Sequence, residues 1–551
     1  MPAEEHRPHH MKFGHVEAAG FDESPSSCDE AEAEGLQEQE QEQENGRRAS
    51  QASGGSKRAV EDPALREARR MEQQDARRRR VHEDRRYFFR RPRALQYFRG
   101  NVLVRSEDER SSHRLELFFD LVFVGLIAVL AQEAVHEHNG YAIVRYVITY
   151  MAAWMVWNYM REVFNSFFVD DMPQRCLILV VMCCLVVYGN NATAVEKEHA
   201  AGGGARETAI GAYLVAGGVI MLTGVFYSVF VCQYRAQLRA LALNWVVAMA
   251  LWIGAIFVSV KGAIAMAAVA LALEYCGWLY FFSPAFKRLL RLRYSSAVAI
   301  EHEVERFSDF VTLVHGEFLY SVVSGNPAGH GMHTGVARTI FTVFIAFAIH
   351  GMYCNGAGSR TVTHGLRKSM ARALLWFTFH LPFVSALTLC GDSTAELISE
   401  TEVPQGVRWI FSASYAIAMV SVTLIAYTEC DHDEPGVLWF PKMVRVAPRV
   451  VAALVVLFLP LASQEQINST ALLGIAAALT MAAWIFQELG SLDGPNAPWY
   501  TGHESVDEQD RREWKGRPTF VEPGAWKLDS RSQRGAVPTF SRSDNVPQQD
   551  P

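Results

Sequence analysis

The sequence predicts an all-α integral membrane protein of about twelve transmembrane helices, arranged as a 6+6 parallel internal repeat. Three observations predict it. Residues 115–489 are almost continuously apolar, whereas 1–112 and 490–551 are polar and charged. Lys and Arg gather in alternate short loops between the apolar stretches. A motif at the start of the first stretch returns at the start of the seventh. A soluble domain would alternate its faces instead, so the composition argues against a soluble enzyme, a secreted disulfide scaffold and a nucleic-acid-binding protein. The net charge of −7 says little, because both signs are concentrated in the ends. The nine Cys include no Cys-x-x-Cys pair, so neither a zinc site nor a disulfide framework is expected.

Residues 1–65 are acidic and low in complexity, with Glu and Gln alternating over Glu38–Glu44. Such a segment buries too little apolar surface to offset its ordering entropy, and a disordered tail is expected. Residues 66–112 form a basic juxtamembrane segment. Thirteen Arg against five acids fall in 66–99, with Tyr87, Phe88, Phe89, Tyr97 and Phe98 between them. A span follows closely, so the expected partner is anionic lipid rather than nucleic acid, with a solvated basic tail as the alternative. No secretory signal is expected ahead of it.

A transmembrane helix needs about 20 mostly apolar residues. Twelve stretches qualify: 115–134, 141–161, 176–190, 208–231, 240–260, 262–282, 307–324, 336–355, 372–391, 407–428, 446–463 and 470–489. They group into a first unit over 113–300 and a second over 301–489. Residues 490–551, with Pro495, Pro498, Pro518, Pro538 and Pro547, read as a disordered C-terminal tail. The Lys/Arg-bearing loops around Arg161/Arg175, Arg235/Arg239, Lys287–Arg293, Arg360–Lys368 and Lys442/Arg445 place both termini in the cytoplasm. The plasma membrane is the expected host. Two sequons, at Asn191 and Asn468, then fall on the outer side.

The repeated motif is His-x-x-Glu-x-Phe-x-Asp-x-Val, from His113, Glu116, Phe118, Asp120 and Val122 to His302, Glu305, Phe307, Asp309 and Val311. Six helices per copy is an even number, so both copies run in the same sense, about an axis along the membrane normal. Glu116/Asp120 and Glu305/Asp309 are i, i+4 pairs on one helical face and repel unless neutralised. Arg114, Arg306, His113 and His302 are the nearby candidates. Phe118 and Phe307 read as core. Carboxylates cost about 2.5–3.5 kcal/mol each at a helix centre in a bilayer, so they should face the interior or water. Asp120, Asp309 and Glu317 read equally as an ion or proton pathway and as buried packing pairs. Glu274, His315, His350 and His380 also lie inside spans. For Asn165, Asp170 and Asp171, loop hydrogen bonds or pairing with Arg161 and Arg175 are favoured over cation capture.

Four separated places resemble one family. They are Glu116-Leu-Phe-Phe-Asp120-Leu-Val-Phe-Val124; Trp154-x-x-Trp157 with Asn165-x-Phe167-x-x-Asp170-Asp171-x-Pro173-x-Arg175; His302-x-x-Glu305-Arg306 leading to Gly316-Glu317; and His380-Leu-Pro382. Over roughly 113–490 the chain resembles the low temperature requirement A (LtrA) family of multi-pass membrane proteins. His315 stands where that family usually has Leu. The resemblance implies a membrane protein and no particular substrate. The starts Arg114-x-x-x-Phe118-Phe-Asp120 and Phe307-Ser-Asp309 are also similar to endolysosomal potassium channels, which duplicate six helices. Phe119 replaces the Ser of that motif, and Glu303 takes its Arg position.

The expected function is a channel or transporter for a cation, a proton or a small solute. Glu116, Asp120, Glu305, Asp309, Glu317 and His380 line its pathway, and His113, Arg114, His302, Arg306, Asn165, Asp170 and Asp171 support them. The alternative is a non-transporting membrane scaffold or sensor acting through its cytoplasmic tails. A membrane enzyme ranks third, for no phosphate loop, nucleophile elbow or His-Glu-x-x-His motif is present. A dimetal site from the two His-x-x-Glu units is disfavoured, because carboxylate-bridged bundles use the reverse order and His113 and His302 are expected at the membrane surface. Cys430-Asp-His432-Asp-Glu434 reads as a polar loop. No enzyme activity, cofactor or metal is expected, and the lipid bilayer is the principal partner.

Overall fold

The computed structural model describes residues 88–89, 91–99, 102–105, 114–167, 171–196 and 204–494. The expectations for both tails, for much of the basic segment, and for His113 and Asp170 lie outside these residues.

Twelve long helices occur among the described residues. They are α1 (Arg114–Glu137), α2 (Gly140–Phe167), α3 (Met172–Ala192), α4 (Ala205–Phe230), α5 (Arg235–Ile256), α6 (Val260–Phe281), α7 (Ile300–Val323), α8 (Thr334–Cys354), α9 (Met370–Ser399), α10 (Gln405–Thr428), α11 (Lys442–Phe458) and α12 (Ser469–Gly490). Ten of them have the length and apolarity to cross a bilayer. The protein is therefore an integral, multi-pass, all-α membrane protein.

The two that fall short are α2 and α7, and their polarity has a cause. Arg145, Asn158, Arg161 and Asn165 of α2 are buried, as are His302, Glu303, Arg306 and His315 of α7. Both helices turn charge inward, where other helices rather than lipid surround it. Several boundaries differ from the sequence expectation: α2 ends at Phe167 rather than 161, and α7 begins at Ile300 rather than 307. The break between α5 and α6 lies at 257–259, with Ser259 extended, and Lys261 and Gly262 belong to α6. Helix α9 runs eight residues past the expected end at 391, and within that extension Ser393 and Thr394 satisfy their hydroxyls on carbonyls of their own helix.

Within the first six helices, α1 packs on α2 and α3, α3 on α4, α4 on α5, α5 on α6, and α2 on α4 and α6. Within the second six, α7 packs on α8 and α9, α9 on α10, α10 on α11, α11 on α12, and α8 on α10 and α12. Helix α1 joins the two sets through α7 and α9. An aromatic stripe on α2 fills the seam. Trp154 and Trp157 lie 4.8 Å apart, and Trp157 stacks on Phe310 of α7 at 4.7 Å. Further along α2, the hydroxyls of Tyr146 and Tyr150 donate to the carbonyls of Ser385 (2.9 Å) and Leu381 (3.0 Å) on α9.

Two small sheets tie the loops. Strands β1 (Gln96–Arg99), β2 (Val102–Arg105) and β3 (Tyr294–Ser296) form an antiparallel sheet in the order β2-β1-β3, with Tyr97 opposite Ser296. The end of the basic segment is thus built onto the helices: Leu95 N–H donates to Ser166 O at 3.2 Å, and the Tyr234 hydroxyl to Gln96 O at 2.7 Å. Strands β4 (Val362–Thr363) and β5 (Cys430–Asp431) pair antiparallel between later loops.

Candidate functional site

Helices α1 and α7 begin, and α2 ends, at one face of the bundle, and their terminal turns bring seven titratable side chains together. Glu116 and Asp120, one helical turn apart on α1, are fully buried. Opposite them on α7 stand His302 and Arg306, again one turn apart. His302 Nε2 lies 2.9 Å from Glu116 Oε2. Arg306 grips Asp120 with two bonds, Nη2 to Oδ1 at 2.8 Å and Nε to Oδ2 at 3.2 Å. This forked geometry is the strongest that guanidinium and carboxylate adopt. Trp157 Nε1 donates to the same Asp120 Oδ1 at 2.7 Å.

Helix α2 supplies the other half. Arg161 Nη1 lies 2.9 Å from Glu303 of α7, and Arg161 also pairs with its neighbour Glu162. Asn158 Oδ1 accepts from Arg161 Nε at 3.1 Å and from Nη2 at 3.0 Å. Asn165 donates to Glu303 and accepts the N–H of Ala299 at 3.0 Å, at the entry to α7. Trp278 of α6 reaches Glu162 at 3.3 Å. The guanidinium of Arg161 lies over Phe377 at 4.4 Å, and that of Arg306 over Phe164 at 4.9 Å, so aromatic faces shield both cations.

Among the described residues the charges of this cluster are unequal: four carboxylates (Glu116, Asp120, Glu162, Glu303) face two guanidiniums (Arg161, Arg306), with His302 beside them. Glu303 Oε2 and His302 Nδ1 are buried without a hydrogen-bond partner. Buried charge away from water is tolerated when paired. The site therefore has chemical room for a proton or a small cation. Among the described residues no set of three or more His, Cys, Asp or Glu is grouped to hold a metal ion.

The other residues singled out from the sequence lie elsewhere. Glu305 and Asp309 of α7 face away from the cluster and line a cleft of about 520 Å³ with Glu301, Ser308, His364 and Arg367. Arg367 pairs there with Glu301 at 2.6 Å. Burial lowers the pKa of His364 to about 4, with help from the nearby charge of Arg367. His380 is buried in an aromatic nest. Its Nδ1–H donates to Trp376 O at 2.7 Å and its Nε2 accepts from the Tyr353 hydroxyl at 3.1 Å, so both nitrogens are satisfied without charge. Glu317 is half-buried, Arg114 is exposed at the start of α1, and Phe118, expected in the core, is exposed on the outer face of α1. Asp171 caps α3 by accepting the N–H of Gln174 at 3.0 Å.

Three parts of the site escaped the sequence reading: the pairing of Arg161 with Glu303, the inclusion of Glu162, and the anchoring bond from Trp157. One signal was available. Asn158, Arg161, Glu162 and Asn165 recur at helical spacing, which marks an interior polar face in an otherwise apolar span. A buried carboxylate outside the cluster, Glu274 of α6, has no cation partner among the described residues. It accepts from the hydroxyls of Tyr213 (2.6 Å) and Tyr159 (3.0 Å) and from Trp252 Nε1 (2.9 Å).

The family model described as bacterial low temperature requirement A protein matches residues 111–486, a span that contains the whole cluster. No curated protein and no solved structure matches the chain.

Proposed function

The chain belongs to the low temperature requirement A family, and from that premise we propose that it is a channel or carrier for a proton or small cation, bound where two six-helix units meet. One observation carries this reading: among the described residues, a buried cluster with more carboxylates than guanidiniums lies between α1, α2 and α7. A purely structural lock would balance its charges, since uncompensated charge in a dry interior is costly. Asp120 and Arg306 form the fixed frame. Glu303 and Glu116, beside His302, form the exchangeable part. The protein acts without enzyme chemistry, and the bilayer is its main partner.

The two-unit architecture rests on neighbours and on parity. Each packing pair in the first six helices has its counterpart six helices later, from α1–α2 with α7–α8 to α2–α6 with α8–α12. Strands β1 and β3 pair, so the chain crosses the membrane an even number of times between them. Helix α2 must then cross, or five crossings would separate paired strands. The Glu301–Arg367 pair requires the same of α7. These pairings support twelve crossings with both termini on one side. The Lys/Arg-rich loops favour the cytoplasm for that side, and the plasma membrane is the proposed host.

The test is flux of K⁺, Na⁺ and H⁺ into liposomes holding the purified protein, compared with Glu303→Gln and Glu116→Gln variants of matched melting temperature. These substitutions keep shape and remove the excess charge. Loss of flux by tenfold or more supports the proposal, and wild-type flux in both variants sinks it. A second reading, a scaffold or sensor, draws on the docking of β1 against the linker strand β3, which leads into α7. It expects silent liposomes and a cellular phenotype that disappears when residues 1–90 are removed.

A further inference from the structure

We propose that His315 and His350 together hold one proton inside the second six helices, shared between an imidazole nitrogen of each. His315, on α7, is only 5% exposed. Its Nδ1 lies 2.8 Å from the carbonyl oxygen of Val311, which can only accept. The hydrogen of the neutral ring is therefore on Nδ1, and Nε2 carries a bare lone pair. That Nε2 is buried with no hydrogen-bond partner. His350, on α8, faces it with ring centroids 4.8 Å apart at 71°. Its Nε2 lies 3.4 Å from Cys354 Sγ, and its Nδ1 has no partner either. Two orphan nitrogens on adjacent helices are costly in a protein interior. With the hydrogen of the neutral His350 ring on Nε2, toward Cys354 Sγ, both orphan nitrogens carry lone pairs, and one proton taken from water, placed on either ring and donated to the other, satisfies both at once.

The ionisable groups on the packed helices are mostly neutral or acidic. On α7 the nearest titratable neighbour is Glu317. On α8 they are Tyr353, whose hydroxyl is committed to His380, and Cys354. On α9 they are His380, with both nitrogens satisfied, Cys390 and Asp392. Helix α1 offers none between Asp120 and Glu133. The basic group of α8, Arg338, lies more than three turns before His350 and donates to Leu397 O at 2.9 Å. The cation nearest in the fold that the packed helices bring is Arg449 of α11, which donates to Met352 O of α8 at 3.4 Å and to Gln487 Oε1 of α12 at 3.0 Å, so its charge is committed to those acceptors. No third His, Cys, Asp or Glu completes a metal-binding group with the two imidazoles among the described residues. A proton is the ligand that two rings alone accommodate. The inference deepens the transport reading by naming the proton as an ion the bundle handles, and it rests on that reading only for its effect on flux.

The test is nitrogen NMR of the full-length protein, labelled at histidine and embedded in lipid bilayers, titrated from neutral to acidic pH. His315 and His350 are expected to shift together in one step that takes up a single proton. In His315→Asn the His350 signal should lose that step, and in His350→Asn the His315 signal should lose it. His315→Phe and His350→Phe serve as second variants, and melting temperatures confirm folding. Independent titration, an unchanged partner signal in the variants, or neutral rings throughout would overturn the proposal. In liposomes the variants should flatten the pH dependence of flux. A wild type without flux but with the coupled titration would defeat the transport reading and leave the proton site standing.

Discussion

At the residue scale, Arg306 is the cation on which the cluster is organised. It grips Asp120 with two bonds, and Glu116 Oε2 lies 3.7 Å from its Nη1. Arg306→Met leaves Asp120 buried with Trp157 as a donor but without its counter-charge, and the expected loss of stability is about 3–5 kcal/mol. Arg306→Met combined with Asp120→Leu should recover most of it, because the pair is then replaced by apolar groups of similar bulk. Thermal unfolding in detergent checks both, and a single variant that melts with the wild type would show that the fork does not hold α1 to α7. A surface carboxylate behaves differently. Asp433 accepts from the N–H groups of Arg360 (2.8 Å) and Thr361 (2.7 Å) and from the Thr361 hydroxyl. Burial opposes its charge, yet the donors prevail and hold its pKa below the ordinary Asp value. A lowered folded pKa stabilises above the unfolded pKa of about 3.9 and loses that contribution as pH falls through the folded value. Asp433→Asn should therefore lower the melting temperature at neutral pH, and the gap should close in acid below about pH 4. A gap independent of pH would place the effect in shape rather than charge.

At the element scale, α9 meets α7 where Gly391 leaves no room for a side chain. A Cβ there would lie 3.0 Å from the Phe318 Cα and 3.2 Å from the Phe318 ring. Backbone cannot step aside as a flexible side chain can, so Gly391→Ala should cost about 1–3 kcal/mol by overpacking. Unfolding measurements decide it, and a neutral result would mean that α7 and α9 slide freely. The same helices show what sequence could reveal. Span existence was legible, because twenty apolar residues in a row leave few alternatives. Facing was less so. His302 and Arg306 turn toward α1, whereas Glu305 and Asp309, three positions on and so about 60° around the helix, open into the cleft. The repeated motif names Glu305 and Asp309 as equivalents of Glu116 and Asp120, but spacing does not encode the rotation that separates them. Arg306 could be named as a neutraliser of the first motif because it sits beside the second. Glu303 could not be assigned to Arg161, since four long helices, α3 to α6, separate them in the chain.

At the scale of the whole molecule, the parity of strand and ion pairing makes a statement about sidedness that labelling can check. If α2 and α7 both cross, the loops after α8 and α10, which meet through β4 and β5, share a side with the β1–β3 sheet. The loops after α7 and α11 lie on the opposite side. Single cysteines at Arg367 and Asp433 should then react with an impermeant thiol reagent from one side of sealed vesicles, and cysteines at Asn326 and Glu465 from the other. The nine native cysteines are first replaced, and flux or melting temperature confirms the fold. If only the ten strongly apolar helices crossed, the strand β3 would lie across the bilayer from β1, and their pairing could not form. The labelling therefore tests more than topology. If the charged helices α2 and α7 cross, they do so because their polar side chains meet inside the bundle, and the cluster proposed to bind the ion is then also what permits the least apolar helices to span. Asn326 and Arg367 reacting from the same side would break that link, and would return the cluster to a purely interfacial role.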